Sequence, residues 1–335
     1  MFVRQTNIYI SSCKLSIKNR RMRTPVRGTR KMRILSYKHE GADAVGLLIN
    51  NSIVNLTEAA AATGRRSLAF SSIHNLLEAG PAAIRGVQQI AYSLRSGKTR
   101  VASANLASVR LRPPFPRASK IVAVGLNYKD HAHEAGFELP KEPLLFAKFP
   151  SSITGPNDPV VIPEGDPQVD FEVELAVVIS GTARRVSESR ALEYVAGYMV
   201  LNDVSARAFQ FGDKQWTRGK SCDSFCPIGP WLTTPDEITN PHALSVITRV
   251  NGEVLQKSNT RNLIFSVPQL IAYISRDITL LPGDIIATGT PPGVGVFREP
   301  PRFLAVGDVV ETEVEGLGVL RNPVVATAMV EAEFA

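Results

Sequence analysis

The chain has few cysteines and no long apolar run, and both absences restrict what it can be. Only three of its 335 residues are cysteines, Cys13, Cys222 and Cys226. Three thiols do not make a disulfide framework, and the spacing of the last two is not that of a zinc knuckle. No apolar stretch approaches the roughly 18 residues of a membrane span. We therefore expect a globular protein of a reducing compartment, cytoplasmic and independent of membranes.

Acidic residues are missing from the first 31 positions, which hold nine lysines or arginines. The rest of the chain has 29 basic and 31 acidic residues, so its net charge is −2 although the whole chain carries +7. We therefore expect no nucleic-acid partner for the body of the chain. Residues 1–31 have the composition of an organelle transit peptide and lack the apolar core of a secretory signal. Alternatively, translation begins at Met32, which we favour; in either case we expect this leader to be disordered or absent from the working protein.

Residues 32–112 have the pattern of a small N-terminal α+β domain. Strand-like runs at 33–37, 44–49 and 52–55 precede helix-like segments at 56–62 and 71–79. Asn50-Asn51 between two of the runs predicts a tight hairpin. The segment Arg112-Pro113-Pro114-Phe115-Pro116 predicts a stiff connector, because proline fixes its own φ and restricts the preceding residue. We place a domain boundary there and assign 113–335 to a larger catalytic domain.

The larger domain is rich in short strands and poor in helices. Strand-like runs occur at 121–124, 160–162, 171–179, 195–201, 245–250, 253–256, 285–288 and 309–314. Asn251-Gly252 predicts a type I′ hairpin, and Ser266-Val267-Pro268 predicts the start of a helix with an apolar face. Because the strands do not alternate regularly with helices, we predict an α+β, β-dominated fold rather than a doubly wound sheet.

Two glutamates stand one residue apart in the apolar run 171–179. Side chains alternate along a strand, so Glu172 and Glu174 are expected on one face, where both carboxylates can reach one ion. Asp203 ends the next apolar run and can complete an oxygen-only site. Oxygen ligands favour Mg²⁺, Mn²⁺ or Ca²⁺ over zinc. The alternatives are a solvated acidic face on an edge strand and, for Asp203, the cap of a short helix.

Basic and polar residues near these acids can serve catalysis or substrate binding. Arg207 and Gln210 are three residues apart on a predicted helical turn, so they share a face. Lys220 adds a charge in a loop. In a helical segment after the run 121–124, Glu134 can orient His131 and make it a stronger base. Taken singly, residues of these types are more often surface residues without a role, and His133 ranks second to His131 as the base.

A glycine-rich segment, 289–295, follows the run 285–288. Its glycines allow a close approach of the backbone to a ligand. It lacks the phosphate-loop lysine and the spacing of a dinucleotide fingerprint. We interpret it as a turn or a carboxylate-binding loop.

Taken in chain order, these segments resemble the fumarylacetoacetate hydrolase family over roughly residues 119–326. The matching segments are Val124-Gly125-Leu126-Asn127-Tyr128 with His131 and Glu134, Leu145-Phe146-Ala147-Lys148, Asp170-Phe171-Glu172-Val173-Glu174-Leu175, Asn202-Asp203-Val204-Ser205-Ala206-Arg207, Lys220-Ser221, Gly283-Asp284-Ile285-Ile286, Gly289-Thr290-Pro291 and Gly293-Val294-Gly295. Some larger members add an aspartate ligand before the lid, and Val122-Ala123-Val124-Gly125-Leu126 has no acid. The chain is therefore similar to the shorter, bacterial-type branch, whose reactions differ widely.

The resemblance implies a fold, an assembly and a set of site residues. The fold is a mixed β-roll catalytic domain with a small N-terminal domain, and the assembly is a homodimer. Mg²⁺ or Mn²⁺, with Ca²⁺ as a further candidate, would be held by Glu172, Glu174 and Asp203. The implied catalytic residues are His131, Glu134 and Lys220, the first two on a lid that orders when substrate binds. The implied substrate-contacting residues are Lys148, Arg207, Gln210 and Thr290, together with Lys220.

The same site suggests several reactions of a small keto acid. The first hypothesis is hydrolysis of a C–C bond in an acylpyruvate, a 2,4-diketo acid such as fumarylpyruvate or fumarylacetoacetate, with His131 deprotonating the attacking water. The alternatives are isomerisation of a 2-hydroxymuconate-type diene acid and decarboxylation of oxaloacetate. All three pass through an enolate, so spacing alone does not separate them. A different class, a basic nucleic-acid or partner-binding protein, rests only on the charge of residues 1–31.

Overall fold

The computed structural model describes residues 32–65, 67–134, 136 and 138–331. The leader, residues 1–31, lies outside the described residues. The first part of the described chain contains strands β1 (Arg33–His39), β2 (Ala42–Ile49), β3 (Ser52–Asn55), β4 (Ser103–Asn105) and β5 (Leu111–Arg112), and helices α1 (Leu56–Ala62), α2 (Ile73–Glu78) and α3 (Pro81–Arg95).

Strands dominate the rest of the described chain. They are β6 (Ile121–Gly125), β7 (Leu144–Lys148), β8 (Ile153–Thr154), β9 (Val160–Ile162), β10 (Val169–Asp170), β11 (Val173–Ile179), β12 (Val195–Asn202), β13 (Ser205–Ala206), β14 (Cys226–Thr233), β15 (Ser245–Val250), β16 (Glu253–Asn259), β17 (Ile285–Ala287), β18 (Val309–Val314) and β19 (Gly318–Ala326). The helices are α4 (Lys129–Glu134), α5 (Arg207–Asp213), α6 (Trp216–Lys220), α7 (Val267–Asp277) and α8 (Thr327–Glu331). The predicted α+β fold rich in strands is confirmed.

One large mixed sheet runs through both parts of the chain. Its strand order is β4-β3-β2-β1-β14-β12-β11-β17-β6-β7, with β5 on β1 and β8 on β14. β1 pairs with β14 through Arg33–Thr233 and Ile34–Leu232, so the strands of the N-terminal part extend the sheet of the larger part. A second sheet has the order β16-β15-β18-β19-β9, and β10 pairs with β13.

Strand β11 lies at the centre of the core and is buried on both faces. Ala176 and Val178 pack in the cluster that contains the apolar residues of α1, α2 and α3. Leu175 and Val177 pack on the other face, with α7 and the second sheet. A strand covered on both sides has no need for polar alternation, which explains its continuous apolar run.

The two predicted hairpins are confirmed, and the predicted helix after Ser266 is confirmed as α7. Asn251 and Gly252 both have positive φ, 52° and 85°, between β15 and β16, as a type I′ turn requires. Asn50, with φ of 50°, joins β2 to β3.

Three major elements of the structure were not predicted from the sequence. These are α3, β14 and β19. In addition, the predicted strand 171–179 begins only at Val173, so Glu172 precedes the strand rather than lying within it. Lys220, predicted in a loop, is the last residue of α6.

Candidate active site

Three carboxylates converge where β11 begins and β12 ends. One oxygen each of Glu172, Glu174 and Asp203 lies within 4.8 Å of the other two, and all three residues are buried. The antiparallel pairing of β11 with β12 brings these ends together, since Val173 is opposite Asn202. Beyond the paired residues, the N–H of Asp203 donates to the carbonyl of Glu172 at 2.8 Å. The predicted grouping is thus present, although Glu172 reaches it from the segment before the strand.

Three cations are bound to two of these carboxylates. The ammonium of Lys220 lies 2.8 Å from Glu172 Oε2 and 2.8 Å from Asp203 Oδ2, and so bridges the two acids. Arg207 Nη2 donates to Glu172 Oε1 at 2.7 Å. Lys148 Nζ donates to Asp203 Oδ1 at 2.7 Å and to the backbone carbonyl of Lys220. Lys148, Arg207 and Lys220 therefore lie at the acidic cluster, as expected for site residues.

The third carboxylate, Glu174, has a hydrogen bond from the backbone instead of a cationic side chain. Its Oε2 accepts the backbone N–H of Gly289 at 2.7 Å. Within the described ranges, no lysine or arginine nitrogen lies within 4.0 Å of it. Burial and the neighbouring charges of Asp203 and Glu172 hold the pKa of Glu174 well above its usual range. Burial acts in the same direction on Glu172, but Lys220 and Arg207 outweigh it and hold the pKa of Glu172 below its usual range.

The donor set fits a hard divalent cation. Three buried carboxylates offer oxygen ligands close enough to share one ion, and one of them has no cationic side chain of its own. Mg²⁺, Mn²⁺ and Ca²⁺ prefer such ligands. A cation would stabilise the ionised form of Glu174, which the protein alone disfavours.

Asp170 fixes the orientation of Arg207. Its Oδ2 accepts Arg207 Nε at 2.8 Å, and its carboxylate also accepts the backbone N–H groups of Gly295 at 2.7 Å and Val296 at 3.0 Å. Arg207 Nη1 donates to Gln210 Oε1 at 2.8 Å, so the pair shares a helical face as predicted. This role of Asp170 was not predicted from the sequence. Its position two residues before Glu172, in the pattern acid-x-acid-x-acid, was the signal that could have found it.

His131 and Glu134 form the expected pair on α4. His131 Nδ1 lies 3.0 Å from Glu134 Oε2, and Glu134 Oε1 accepts the N–H of Gly293 at 2.8 Å. The His131 residue is 7% exposed, with its ring 5.9 Å from that of Phe297, whereas His133 is exposed. In the described part of the chain, His131 and Glu134 make no hydrogen bond to the three carboxylates. The segment 289–295 connects the pair to them.

That segment is held against both sheets by buried amides. Gln256 of β16 donates to Thr290 Oγ1 at 2.9 Å, and Thr290 donates to the carbonyl of Val173 at 3.1 Å. Asn127 Nδ2 donates to the carbonyl of Thr288 at 2.7 Å. Neither Gln256 nor Asn127 was predicted from the sequence to have a role.

Gly289 is required by its conformation and by close packing. Its φ is +102°, and a Cβ there would lie 2.8 Å from the Cβ of Asn127. A glycine therefore allows the backbone to present its N–H to Glu174. The conformation and packing explain why position 289 is a glycine. From spacing alone, segment 289–295 could be either a turn or a carboxylate-binding loop.

The larger part of the chain matches the model of one enzyme family. Residues 120–325 match the family model described as "Fumarylacetoacetate (FAA) hydrolase C-terminal". The chain belongs to the fumarylacetoacetate hydrolase family. The resemblance stated from the motifs is confirmed.

Curated relatives and solved structures agree with this membership. Oxaloacetate tautomerase FAHD2A, mitochondrial, of Bos taurus is 42% identical over 309 residues, which cover 90% of this chain and 95% of the relative. The Homo sapiens protein of the same name is 50% identical over 221 residues, 65% of this chain and 70% of the relative.

Two solved structures share the fold at similar identity. 2-Hydroxyhepta-2,4-diene-1,7-dioate isomerase from Mycobacterium marinum has a TM-score of 0.68 and 34% identity, covering 88% of this chain and 99% of that one. Maleylpyruvate hydrolase from Sphingobium sp. SYK-6, in complex with manganese (II) ion and pyruvate, has a TM-score of 0.70 and 33% identity, with the same coverage of 88% and 99%. In the described residues, no helix is both long and apolar enough to cross a membrane.

Proposed function

We propose that the chain catalyses enolisation of a small 2-oxo diacid, with keto–enol tautomerisation of oxaloacetate as the first candidate. The observation that carries this choice is the 42% identity to a bovine oxaloacetate tautomerase along 95% of its length. The acidic cluster and the His131–Glu134 pair support it, because moving a proton between carbon and oxygen needs a base and stabilisation of negative charge.

The cofactor of the proposed reaction is a divalent cation, Mg²⁺ or Mn²⁺, with Ca²⁺ as a further candidate. Glu172, Glu174 and Asp203 would hold it. When bound, such an ion supplies Lewis-acid stabilisation of negative charge on the oxygens of a 2-oxo acid.

The chain's own residues would move the proton. Because Nδ1 of His131 faces a carboxylate, the neutral ring carries its proton there and leaves Nε2 free as the base. In the proposed step, Nε2 accepts a proton from the carbon next to the 2-oxo group, and a proton is returned to the oxygen, which gives the enol. Lys220 is proposed to act with the pair as a catalytic residue through its buried ammonium.

Substrate binding is proposed for Lys148, Arg207, Gln210 and Thr290. All four are buried near the cluster and already have protein partners. The guanidinium of Arg207 already donates hydrogen bonds to Asp170, Glu172 and Gln210. A substrate carboxylate at Arg207 would therefore have to share these hydrogen bonds or displace one of them.

Hydrolysis of a C–C bond in an acylpyruvate is the second candidate. The maleylpyruvate hydrolase structure, which contains manganese and pyruvate, favours it. In that reaction His131 would accept a proton from water as the water adds to the acyl carbonyl. The C–C bond then breaks, and the leaving carbon takes up a proton to give pyruvate and a carboxylic acid. Isomerisation of a diene acid and decarboxylation of oxaloacetate would use the same base and the same acidic cluster.

Product analysis by NMR separates these reactions. The Mg²⁺-loaded or Mn²⁺-loaded protein is incubated separately with oxaloacetate, acetylpyruvate and a 2-hydroxymuconate, beside a His131→Ala control. We expect faster exchange between the keto and enol forms of oxaloacetate than in the control. Release of acetate and pyruvate from acetylpyruvate, without faster tautomer exchange, would favour hydrolysis and overturn the first candidate.

Assembly, location and domain boundaries stay predictions. We propose a homodimer, which light scattering on the purified protein tests. Cysteine usage predicts a cytoplasmic location. The bovine and human relatives, by contrast, are named as mitochondrial. We keep the proposed division at residue 112, although the two parts share one sheet.

A further inference from the structure

A cavity of about 330 Å³ lies between α2, strands β1 and β2, and the proline-rich connector. Its volume falls within the range of small-ligand pockets, roughly 300–1,000 Å³. Its lining includes none of the three carboxylates and none of the cations bound to them. A molecule bound there would occupy a site separate from the candidate active site.

The lining of this cavity combines apolar and polar groups. Residues 113–116, three prolines and Phe115, supply rigid apolar surface. Ser36, Ser71 and Asn75 add hydroxyl and amide groups. Such a lining suits a small molecule that has an apolar body and a polar end.

The charged groups of the lining favour an anionic end. Arg112 and Arg117 line the cavity, and Asp43 is the acid that lines it with them. Asp43 Oδ1 is already bound by Lys38 Nζ at 2.9 Å, so it does not neutralise both arginines.

Arg112 has a donor that the protein leaves without a hydrogen bond. Its Nε is buried and has no hydrogen-bond partner among the described residues. Asp43 Oδ1 lies 3.6 Å from this same Nε, and Asp158 Oδ2 lies 3.6 Å from Nη1, so both acids form ion pairs with the guanidinium without hydrogen-bonding to it. A ligand carboxylate matches the planar fork of a guanidinium and can supply hydrogen bonds that these two acids do not make.

His74, another residue of the lining, packs its Nδ1 against Gly283, where a Cβ would lie 2.6 Å from that nitrogen. His74 Nδ1 is also buried without a hydrogen-bond partner in the described part of the chain. Its Nε2 faces Glu78 at 3.4 Å, so the ring's other nitrogen is already engaged.

We propose that this cavity binds a small organic acid, with its carboxylate at Arg112 and its apolar body against residues 113–116. The apolar surface favours an organic acid over inorganic phosphate, and the arginines favour an acid over a neutral molecule of the same shape. This binding goes beyond the proposed reaction and does not depend on it.

Isothermal titration calorimetry with benzoate as the probe tests the proposal. We expect saturable binding with a Kd on the order of 1 mM, as suits so small a ligand. Arg112→Gln should weaken it by about tenfold or more. Ala44→Phe, which fills the cavity and keeps its charges, should abolish it. Arg110→Gln is the matched control, since Arg110 is exposed, pairs with Asp158 at 3.1 Å and does not line the cavity.

Further arms separate this site from the acidic cluster and test the ligand class. Benzoate binding should persist in Glu172→Gln, because that variant disables only the cluster. Benzyl alcohol and inorganic phosphate should each bind more weakly than benzoate. The proposal is overturned by the absence of saturable benzoate binding up to about 20 mM, by binding that Ala44→Phe leaves unchanged, or by binding that depends on Glu172. Equal binding of benzyl alcohol or of phosphate would overturn the assignment to organic acids.

Discussion

The Nδ1 of His131 lies 3.0 Å from a carboxylate oxygen of Glu134, whose other oxygen accepts the N–H of Gly293 at 2.8 Å. One carboxylate thus orients the imidazole and joins α4 to the glycine segment that also binds Glu174 through Gly289. His131 and the acidic cluster are therefore positioned by the same stretch of backbone.

Replacing His131, the proposed base, should separate turnover from metal binding. In His131→Ala we expect kcat to fall by about 10²–10⁴-fold, the usual contribution of a positioned general base. Metal affinity should stay unchanged, because His131 makes no hydrogen bond to the three carboxylates in the described residues. Steady-state kinetics and a Mn²⁺ titration measure the two effects.

His133→Ala is the matched control for that experiment, since His133 is exposed on the same helix. It should retain nearly full activity. Full activity in His131→Ala would show that the assignment of the base is wrong and would make His133 the candidate.

Removing the bridging ammonium should destabilise the protein most when no divalent cation is present. Lys220 lies 2.8 Å from both Glu172 and Asp203, so Lys220→Met leaves buried carboxylates underpaired. Such losses cost about 3–5 kcal/mol in unfolding free energy. Added Mn²⁺ should restore much of that stability, because a cation at the cluster offsets the same charges.

Urea unfolding with EDTA and with Mn²⁺ measures the effect of Lys220→Met. Lys214→Met, at an exposed position just after α5, is the control and should unfold like the wild type. A Lys220→Met protein as stable as the wild type in EDTA would contradict the prediction.

The raised pKa of Glu174 predicts a pH dependence of stability in EDTA. An unfolded glutamate titrates near pH 4.3, so above that value the folded protein holds a proton that the unfolded chain has lost. The favourable contribution of neutral Glu174 is therefore fully present below about pH 4 and is lost as the pH rises through the raised folded pKa.

Glu174→Gln should remove this dependence. The amide cannot ionise and can still accept the N–H of Gly289, so at about pH 8 we expect it to raise unfolding free energy by about 1 kcal/mol. The same variant should bind Mn²⁺ more weakly. Urea unfolding in EDTA at several pH values tests this, and a wild type and variant with parallel pH profiles would refute it.

Much of the fold was predictable where local pattern and tertiary context agree. The continuous apolar runs of β11 and β12 and the Asn251-Gly252 turn are examples. Helix α3 was missed although its signal was present, with Pro81 in the first turn and Val87, Ile90 and Ala91 buried at helical spacing. Strand β14 was missed because its sequence predicts a different structure: Gly229-Pro230 indicates a turn. The strand is nevertheless buried between β1 and β12.

Some residues of the candidate site were likewise predictable from the sequence, and others were not. Alternation along a strand predicted that Glu172 and Glu174 converge, and the end of the next apolar run supplied Asp203. The supporting amides could not be found by spacing. Gln256 accepts the N–H of Val173 from 83 residues away, and Asn127 binds Thr288 from 161 residues away. Such contacts depend on how the two sheets pack, which local pattern does not encode.

Calorimetric titration of Mn²⁺ into the metal-free protein shows whether Glu172, Glu174 and Asp203 hold a divalent cation. We expect one ion per chain in the wild type and binding weakened by at least about tenfold in Asp203→Asn, since one of three charged ligands is lost. Asp213→Asn, an acid at the end of α5 outside the cluster, should bind like the wild type. An absence of stoichiometric binding, or equal binding by the wild type and Asp203→Asn, would contradict a cation site at these carboxylates.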